Sequence, residues 1–321
     1  MKLSEIRSLM KNLPLELDPR DPSRISEYAR AVGLEPGMLY QELEMESKYV
    51  DTHRDTTFSN TMVSLHSHRF YELLCCRNNC GAEYLVGASR YRLQAGDVII
   101  IPPGVSHRPL LPETMKEPYI RDVVWISPEF AQSFYEILEW ERSKQRVGSH
   151  LLRTAGTRWE SLQNLFRRGV EEAEEKRLGW EAAVVGNTML LICQLMRALD
   201  DKTAVPMRRE KPELLDRVMA YIEENYAQRL TVSDAAAHFY VSPSTISHLF
   251  RHKMGVSFYR CVTQRRLIAA KNLIMQGAAL EQVNEQVGFS DYSTFYRAFR
   301  QEFGISPRQF RKLQETPERS I

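Results

Sequence analysis

Two similar stretches near the end of the chain decide the fold. The first is Thr231–Gly255, TVSDAAAHFYVSPSTISHLFRHKMG, and the second is Ala279–Gly304, ALEQVNEQVGFSDYSTFYRAFRQEFG. Each predicts a short helix, a tight turn with a serine N-cap (Ser242 or Ser290), and a longer helix that glycine closes. The chain therefore contains the same helix-turn-helix pattern twice.

Alignment of the two stretches needs one extra residue in the second. The matched positions are Val232 with Leu280, Ala235 with Val283, Ser242 with Ser290, Phe250 with Phe299, Arg251 with Arg300 and Gly255 with Gly304. A second helix in this arrangement can enter a DNA major groove. Two such units on one domain predict binding to two successive major-groove faces, about 34 Å apart.

Helical periodicity assigns the faces of the two longer helices. The inward positions are Ile246, Leu249 and Phe250 in the first and Phe295 and Phe299 in the second. The predicted base-facing residues are Ser244, Thr245, Ser247, His248, Tyr292, Ser293, Tyr296 and Arg297. Arg297 is the strongest candidate for specificity, because a guanidinium can bond guanine bidentately.

A second set of residues is expected to contact phosphates rather than bases. Basic side chains and the backbone N–H groups at helix starts supply such contacts. The predicted set is Ser242, Arg251, Lys253, Arg265, Arg266, Lys271, Ser290, Arg300 and Arg308. For every position in both sets, the alternative is a solvated surface residue.

The net charge of +2 conceals an asymmetry between the two parts of the chain. Residues 207–315 hold 16 basic and 11 acidic residues, whereas the remainder is net negative. A basic part fused to a slightly acidic one fits a DNA-binding domain joined to a sensor. Because the chain has neither a long apolar run nor an apolar leader, we expect no membrane segment and a cytoplasmic protein. Five cysteines without a regular framework agree with a reducing compartment.

The periodicity divides the chain into five predicted segments. Residues 1–50 form a helical extension of unassigned role, and residues 51–127 form a small barrel. Its short strands alternate with period two from about residue 60, and the first of them is SNTMVSLHSH, residues 59–68. Residues 128–200 are helical again, with a charged helix from about residue 151 and then a strongly apolar one. Residues 201–212 read as a linker, and residues 213–314 as the DNA-binding domain.

The C-terminal motifs LTVSDAAAHFYVSPSTISHLFRHKMGVSF and VGFSDYSTFYRAFRQEFGISPRQFR closely resemble those of the AraC/XylS family of bacterial transcription regulators. The resemblance covers about a hundred residues and implies seven helices, with FYRCVTQRRLIAAKNLIM joining two helix-turn-helix units. It also implies promoter DNA and RNA polymerase as partners. One departure is Asn284, where the family favours a small residue; a buried asparagine needs hydrogen-bond partners.

His66-Ser67-His68 with Glu72, and the GxxxxxPxGxxH run from Gly96 to His107, resemble the two motifs of the cupin superfamily, a small β-barrel. Metal-binding cupins hold their ion at the positions that His66, His68, Glu72 and His107 fill here, and such ligands suit a divalent metal. Sensor barrels of AraC-type regulators mostly bind organic ligands instead. The predicted effector pocket is His66, His68, Tyr71, Glu72, Tyr84 and His107.

The predicted fold class is α+β multidomain: an N-terminal cupin-like β-barrel with a helical segment, and a C-terminal all-α domain with two helix-turn-helix units. The predicted function is sequence-specific, effector-controlled transcription regulation by a homodimer, without catalysis and with no certain cofactor. Two alternatives stay open. One is a constitutive DNA binder whose barrel only dimerises, and the other is a metal-dependent cupin enzyme fused to a DNA-binding domain.

Overall fold

The structure, a computed structural model, describes residues 44–58, 63–112, 114–138, 150–201 and 212–315. These residues divide into two compact units, one chiefly of residues up to 211 and the other chiefly of residues from 212 onward. The first unit is rich in β-sheet and the second is helical. The predicted helical extension falls almost entirely on residues 1–43, which lie outside the described residues.

Short antiparallel strands build the first unit. They are β1 (Val50–Thr57), β2 (Tyr71–Cys76), β3 (Glu83–Val86), β4 (Ser89–Arg92), β5 (Val98–Ile101), β6 (His107–Leu110), β7 (Tyr119–Ile126) and β8 (Leu151–Leu152). One sheet has the order β1-β7-β2-β5-β8 and the other the order β4-β3-β6. The described strands thus form two sheets and do not close into one barrel.

The core of this unit lies between the two sheets. Alternate residues of a strand point to opposite faces. Leu74, Val123 and Trp125 on the inner face of the larger sheet therefore join Tyr84 and Val86 of the smaller sheet in one buried cluster. The two sheets pack face to face, and any side chain in register with these positions points into the space between them.

Three strands do not match the sequence prediction. β1 was not predicted because polar residues fill both of its faces, β6 contains a proline, and β8 has two residues only. Residues 151–152, predicted to open a helix, pair instead with β5. The predicted strand over residues 59–68 is absent from its described part, residues 63–68, apart from a single bridge at His66.

The outer face of the larger sheet is covered by helices. These are α1 (Pro128–Leu138), α2 (Leu162–Glu175) and α3 (Trp180–Asp200). Phe166 of α2 and Leu191 of α3 are fully buried against Val124 and Ile126 of β7. By length and apolar composition alone α3 could cross a membrane, although its buried face packs against the sheet in this fold.

Residues 212–315 contain the seven α-helices that the resemblance implies. They are α4 (Leu214–Asn225), α5 (Val232–His238), α6 (Pro243–Leu249), α7 (Phe258–Met275), α8 (Leu280–Gln286), α9 (Tyr292–Phe303) and α10 (Pro307–Glu315). A π-helical segment, Phe250–Met254, continues α6. The sequence FYRCVTQRRLIAAKNLIM forms α7 as predicted. We call α5 with α6 the first helix pair and α8 with α9 the second.

The N-caps of the two longer helices correct the alignment of the repeats. Ser242 caps α6 as predicted, because its side chain accepts the N–H of Thr245. In the second pair the cap is Asp291, which accepts the N–H of Thr294, so the predicted cap Ser290 is wrong. The extra residue of the second repeat therefore lies in its turn, and the helices then match without a gap, His248 with Arg297 among them.

Candidate nucleic-acid interface and sensor site

The first helix pair presents polar side chains along one face of α6. Ile246 and Phe250 are fully buried, which fixes the rotation of the helix. Ser244, Thr245 and His248 are consequently exposed. Ser247 is half-buried, so it is less accessible than its predicted role requires.

The second helix pair repeats this arrangement with larger side chains. Phe295 and Phe299 are fully buried, while Tyr292, Ser293 and Arg297 are exposed and Tyr296 is half-buried. The Nε of Arg297 makes only a long contact, 3.4 Å, with the carbonyl of Ser293. Its guanidinium forms no ion pair within the described residues, and it is therefore available to a base edge or a phosphate.

Most of the predicted phosphate-contacting residues lie on the surface. The exposed members are Ser242, Arg251, Lys253, Ser290, Arg300 and Arg308. Their contacts with DNA stay predictions.

The remaining three basic residues of that set are already engaged within the domain. Arg265 pairs with Glu223, and Arg266 donates to the carbonyls of Tyr226 and Gln228 at 2.8 Å. Lys271 is buried, with its ammonium 5.5 Å from the ring centroid of Phe303. The predicted phosphate contact of Lys271 rests on its positive charge alone, and the burial of its side chain does not support that contact.

Asn284, the departure from the family pattern, is half-buried rather than buried. In the amide orientation that satisfies both of its groups, the side chain donates to the carbonyl of Glu281 and accepts the N–H of Glu285. The substitution therefore leaves no unpaired polar group in the second pair.

In the first unit, the inner face of the sheets brings together His68, Glu72 and His107. The Oε2 atom of Glu72 lies 3.4 Å from Nε2 of His68 and 3.1 Å from Nε2 of His107. The Nδ1 atoms of both rings lie 2.9 Å from a backbone carbonyl, that of Phe70 or Val105. Since a carbonyl only accepts, each Nδ1 carries a proton, and the two Nε2 atoms are the ring nitrogens that lie beside the carboxylate.

Electrostatics favour an ionised Glu72. Burial raises the pKa of Glu72, but the imidazoles of His107 and His68 beside its carboxylate oppose it and hold the pKa well below its ordinary value. Burial lowers the pKa of His68. Trp125 donates from Nε1 to the other oxygen of Glu72 at 2.8 Å and fixes the carboxylate. Two imidazole nitrogens and an ionised carboxylate form a donor set that suits a divalent transition metal.

Two residues of the predicted pocket stand elsewhere. His66 is buried but does not belong to the group of three potential ligands, whose donor atoms all lie within 4.8 Å of one another. Tyr71 packs against the cluster on the outer face of the larger sheet, because it neighbours the inward-facing Glu72 on the same strand. Tyr84 does lie inside, with its ring stacked 6.3 Å from that of His107.

A polar wall on β1 and β7 was missed by the sequence prediction. His53 and Asp55 alternate on β1, and Asp55 pairs in register with Arg121 of β7. Arg121 donates to Asp55 at 2.7 Å and to Thr57 at 2.8 Å. These side chains share the inner face with Trp125. The period-two spacing of His53, Asp55 and Thr57 is the one signal that could have revealed them.

The comparisons with known proteins include one match confined to the helical unit and others that extend well beyond it. Residues 235–313 match the family model described as a helix-turn-helix domain. The chain is 25% identical over 251 residues to the transcriptional activator RhaS of Salmonella arizonae, covering 77% of this chain and 87% of that protein. It is 23% identical over 256 residues to RhaS of Escherichia fergusonii, with the same coverage.

Among solved structures, the chain is similar to the C-terminal domain of AraT, a response regulator from Geobacillus stearothermophilus. The identity is 28%, the match covers 35% of this chain and 94% of that one, and the TM-score is 0.32. The matched helix-turn-helix domain and the RhaS relatives show a DNA-binding transcription regulator that is similar to members of the AraC family.

Proposed function

We propose that the two helix pairs act as two helix-turn-helix units that read one asymmetric promoter site, each placing its longer helix in the major groove. The observation that carries this proposal is the equivalence of α6 and α9. Each begins at a side-chain N-cap, buries one aromatic or aliphatic face and exposes a matching row, and His248 corresponds to Arg297. Arg297 offers the stronger discrimination, because a bidentate contact favours one base by about 1–3 kcal/mol.

Selection of bound sequences from a random duplex library tests this directly. We expect two base-reading segments about one helical turn apart. Arg297→Ala relaxes the preference in one segment and His248→Ala in the other. Loss of selectivity in the same segment for both variants, or a single segment for the unmodified protein, would contradict two-unit reading.

We further propose that a small-molecule effector binds between the two sheets and regulates DNA binding. The inner face carries the possible metal ligands His68, Glu72 and His107 and the polar side chains of β1 and β7. A purely structural core does not require so many buried polar groups. A ligand shifts the equilibrium between states only if it binds them with different affinities. Because the relatives carry the name of transcriptional activator, we propose activation through RNA polymerase, in the cytoplasm where the promoter DNA lies.

A divalent metal is the second candidate for this site. Two Nε2 atoms and a carboxylate oxygen lie within 4.8 Å of one another, and the opposite ring nitrogens are oriented by backbone carbonyls, as metal-ligating histidines usually are. His68, Glu72 and His107 would hold the ion, which would supply a Lewis-acidic contact for an effector oxygen. No catalytic step is assigned to it.

Metal analysis of the purified protein separates these possibilities. We expect His68→Ala and His107→Ala to lose the metal, whereas His66→Ala, a buried histidine outside the group, retains it. A metal content that is unchanged in all three variants, or absent from the unmodified protein after loading with Zn²⁺, would refute the metal site and leave the organic effector.

Homodimerisation through α3 completes the proposal. Ala182, Gly186 and Leu190 recur every fourth residue and are exposed, so they form an apolar stripe that a second copy would cover. Leu190→Lys should convert the dimer to a monomer in sedimentation experiments. Glu181→Lys, which changes charge next to the stripe, is the control that should leave the dimer intact.

A further inference from the structure

A groove of about 820 Å³ runs between the two helix pairs of the C-terminal unit. Ser247 of α6 lines it on one side, and Ser290, the residue before the N-cap of α9, lines it on the other. The groove therefore lies beside both of the helices to which base reading is assigned. The base contacts proposed for the two helices leave this groove without a role.

The charge in this groove favours an anion. Arg229 is exposed, and its guanidinium makes no hydrogen bond or ion pair within the described residues. Arg266, half-buried between two backbone carbonyls, adds a second fixed positive charge. Glu285 is the one acidic residue among the groove-lining residues that are described.

A tyrosine in the same groove is the structural equivalent of a predicted phosphate contact. After α6 and its π-helical continuation, Gly255 is followed by the N-cap Ser257, and Tyr259 is the second residue of α7. Gly304 is likewise followed by Ser306, whose hydroxyl accepts the N–H of Gln309, and Arg308 is the second residue of α10. The repeat thus places Tyr259 where the second half has Arg308.

The exposure of Tyr259 agrees with a surface role. Its side chain is 67% exposed, whereas the preceding Phe258 is 4% exposed. A phenol hydroxyl is a common donor to phosphate oxygens, which bind side chains without regard to base sequence.

We propose that this groove receives the sugar–phosphate backbone of DNA between the two base-reading segments, with Arg229 and Tyr259 donating to its phosphates. The inference rests on DNA binding by the two helix pairs. If both longer helices occupy successive major-groove faces, the intervening backbone must pass between them, and the groove is the part of the domain that lies there.

Salt titration of binding to a random-sequence duplex of about 40 base pairs, a length that spans both segments, tests the proposal with the full-length protein. Removing one phosphate contact of a cation lowers the slope of log K against log salt by about 0.9. We therefore expect Arg229→Gln to lower the slope by that amount and Arg229→Lys to retain it. Tyr259→Phe removes an uncharged donor, and it should weaken binding about two- to tenfold at every salt concentration without changing the slope.

The control variants remove the same groups elsewhere. Arg168→Gln removes an exposed arginine of α2, and Tyr49→Phe a half-exposed tyrosine outside the helical unit. Binding by Arg229→Gln and Tyr259→Phe that equals the controls would overturn the proposal, as would losses seen only on a selected sequence and not on the random duplex. If the unmodified protein binds no duplex at any salt concentration, the proposed function itself fails.

Discussion

The two helix pairs share one plan but satisfy it with different residues. In the first pair the turn residue with a left-handed backbone is Tyr240 (φ +55°), and its side chain is 96% exposed. In the second pair the equivalent residue is Gly288 (φ +83°), and a Cβ there would lie 2.5 Å from the carbonyl oxygen of Ala227. Open space therefore tolerates a strained tyrosine in one turn, whereas close backbone packing requires glycine in the other.

The longer helices of the two pairs also differ, in length and regularity. α6 has seven residues and continues as a π-helical segment, while α9 runs twelve residues to its closing glycine without interruption. Near its end α9 buries Glu302, which accepts hydrogen bonds from Arg260 and Gln264 of α7. The first pair has the exposed Lys253 at the equivalent position. The second pair is thus tied more closely to α7 by polar contacts.

The largest predicted effect follows from the packing of Gly288. Gly288→Ala should destabilise the helical unit by at least about 2 kcal/mol, because the new Cβ meets backbone and the left-handed conformation also becomes unfavourable. Gly304→Ala is the matched control: φ is +74° there, but nothing lies within 4 Å of its Cβ. Thermal unfolding of the variants should rank them in this order, and equal losses would contradict the role assigned to the Ala227 contact.

The N-caps give the next largest effect. Ser242→Ala and Asp291→Ala should each cost about 1 kcal/mol, because each leaves a helix N–H without its side-chain acceptor. Ser290→Ala should cost almost nothing, since Asp291 performs the capping in the second pair. Denaturant unfolding measures all three, and a loss at Ser290 equal to that at Asp291 would restore Ser290 as the equivalent of Ser242.

Tyr240→Gly should stabilise the first pair by less than about 1 kcal/mol. Relief of the left-handed strain is worth about 1–2 kcal/mol, and the greater freedom of glycine in the unfolded chain offsets part of it. Tyr240→Phe keeps the strain and is the control. Hydrogen exchange in α5 and α6 reports the change locally. Destabilisation by the glycine variant would show that the tyrosine ring makes a contribution that its exposure does not suggest.

The smallest effect concerns pH. The backbone and side-chain hydrogen bonds from Thr294 lower the pKa of Asp291 below its ordinary value of 3.8. A lowered folded pKa means that this stabilisation is present above pH 3.8 and is lost as the pH falls through the folded pKa. Asp291→Asn should remove that part of the acid dependence, whereas Ser242→Ala should not change it. Identical acid transitions in Asp291→Asn and the unmodified protein would contradict this assignment.

Helical periodicity determined from the sequence alone which faces of the two longer helices are buried. The spacing of Ile246, Phe250, Phe295 and Phe299 is local information, and it is sufficient to identify the buried faces of α6 and α9. The bounds of α7 match the joining helix that the family resemblance implied. Helices are specified by contacts between residues three and four apart, so their sequence pattern suffices.

Only the tertiary structure decided the rest. β1 was invisible as a strand because its inward positions hold His53, Asp55 and Thr57, polar residues whose partners come from β7, more than sixty positions away. The separation of His66 from His68, Glu72 and His107 and the inward position of Lys271 depend likewise on packing in three dimensions. Hydropathy patterns record which residues prefer burial, but long-range neighbours determine which polar residues can be buried.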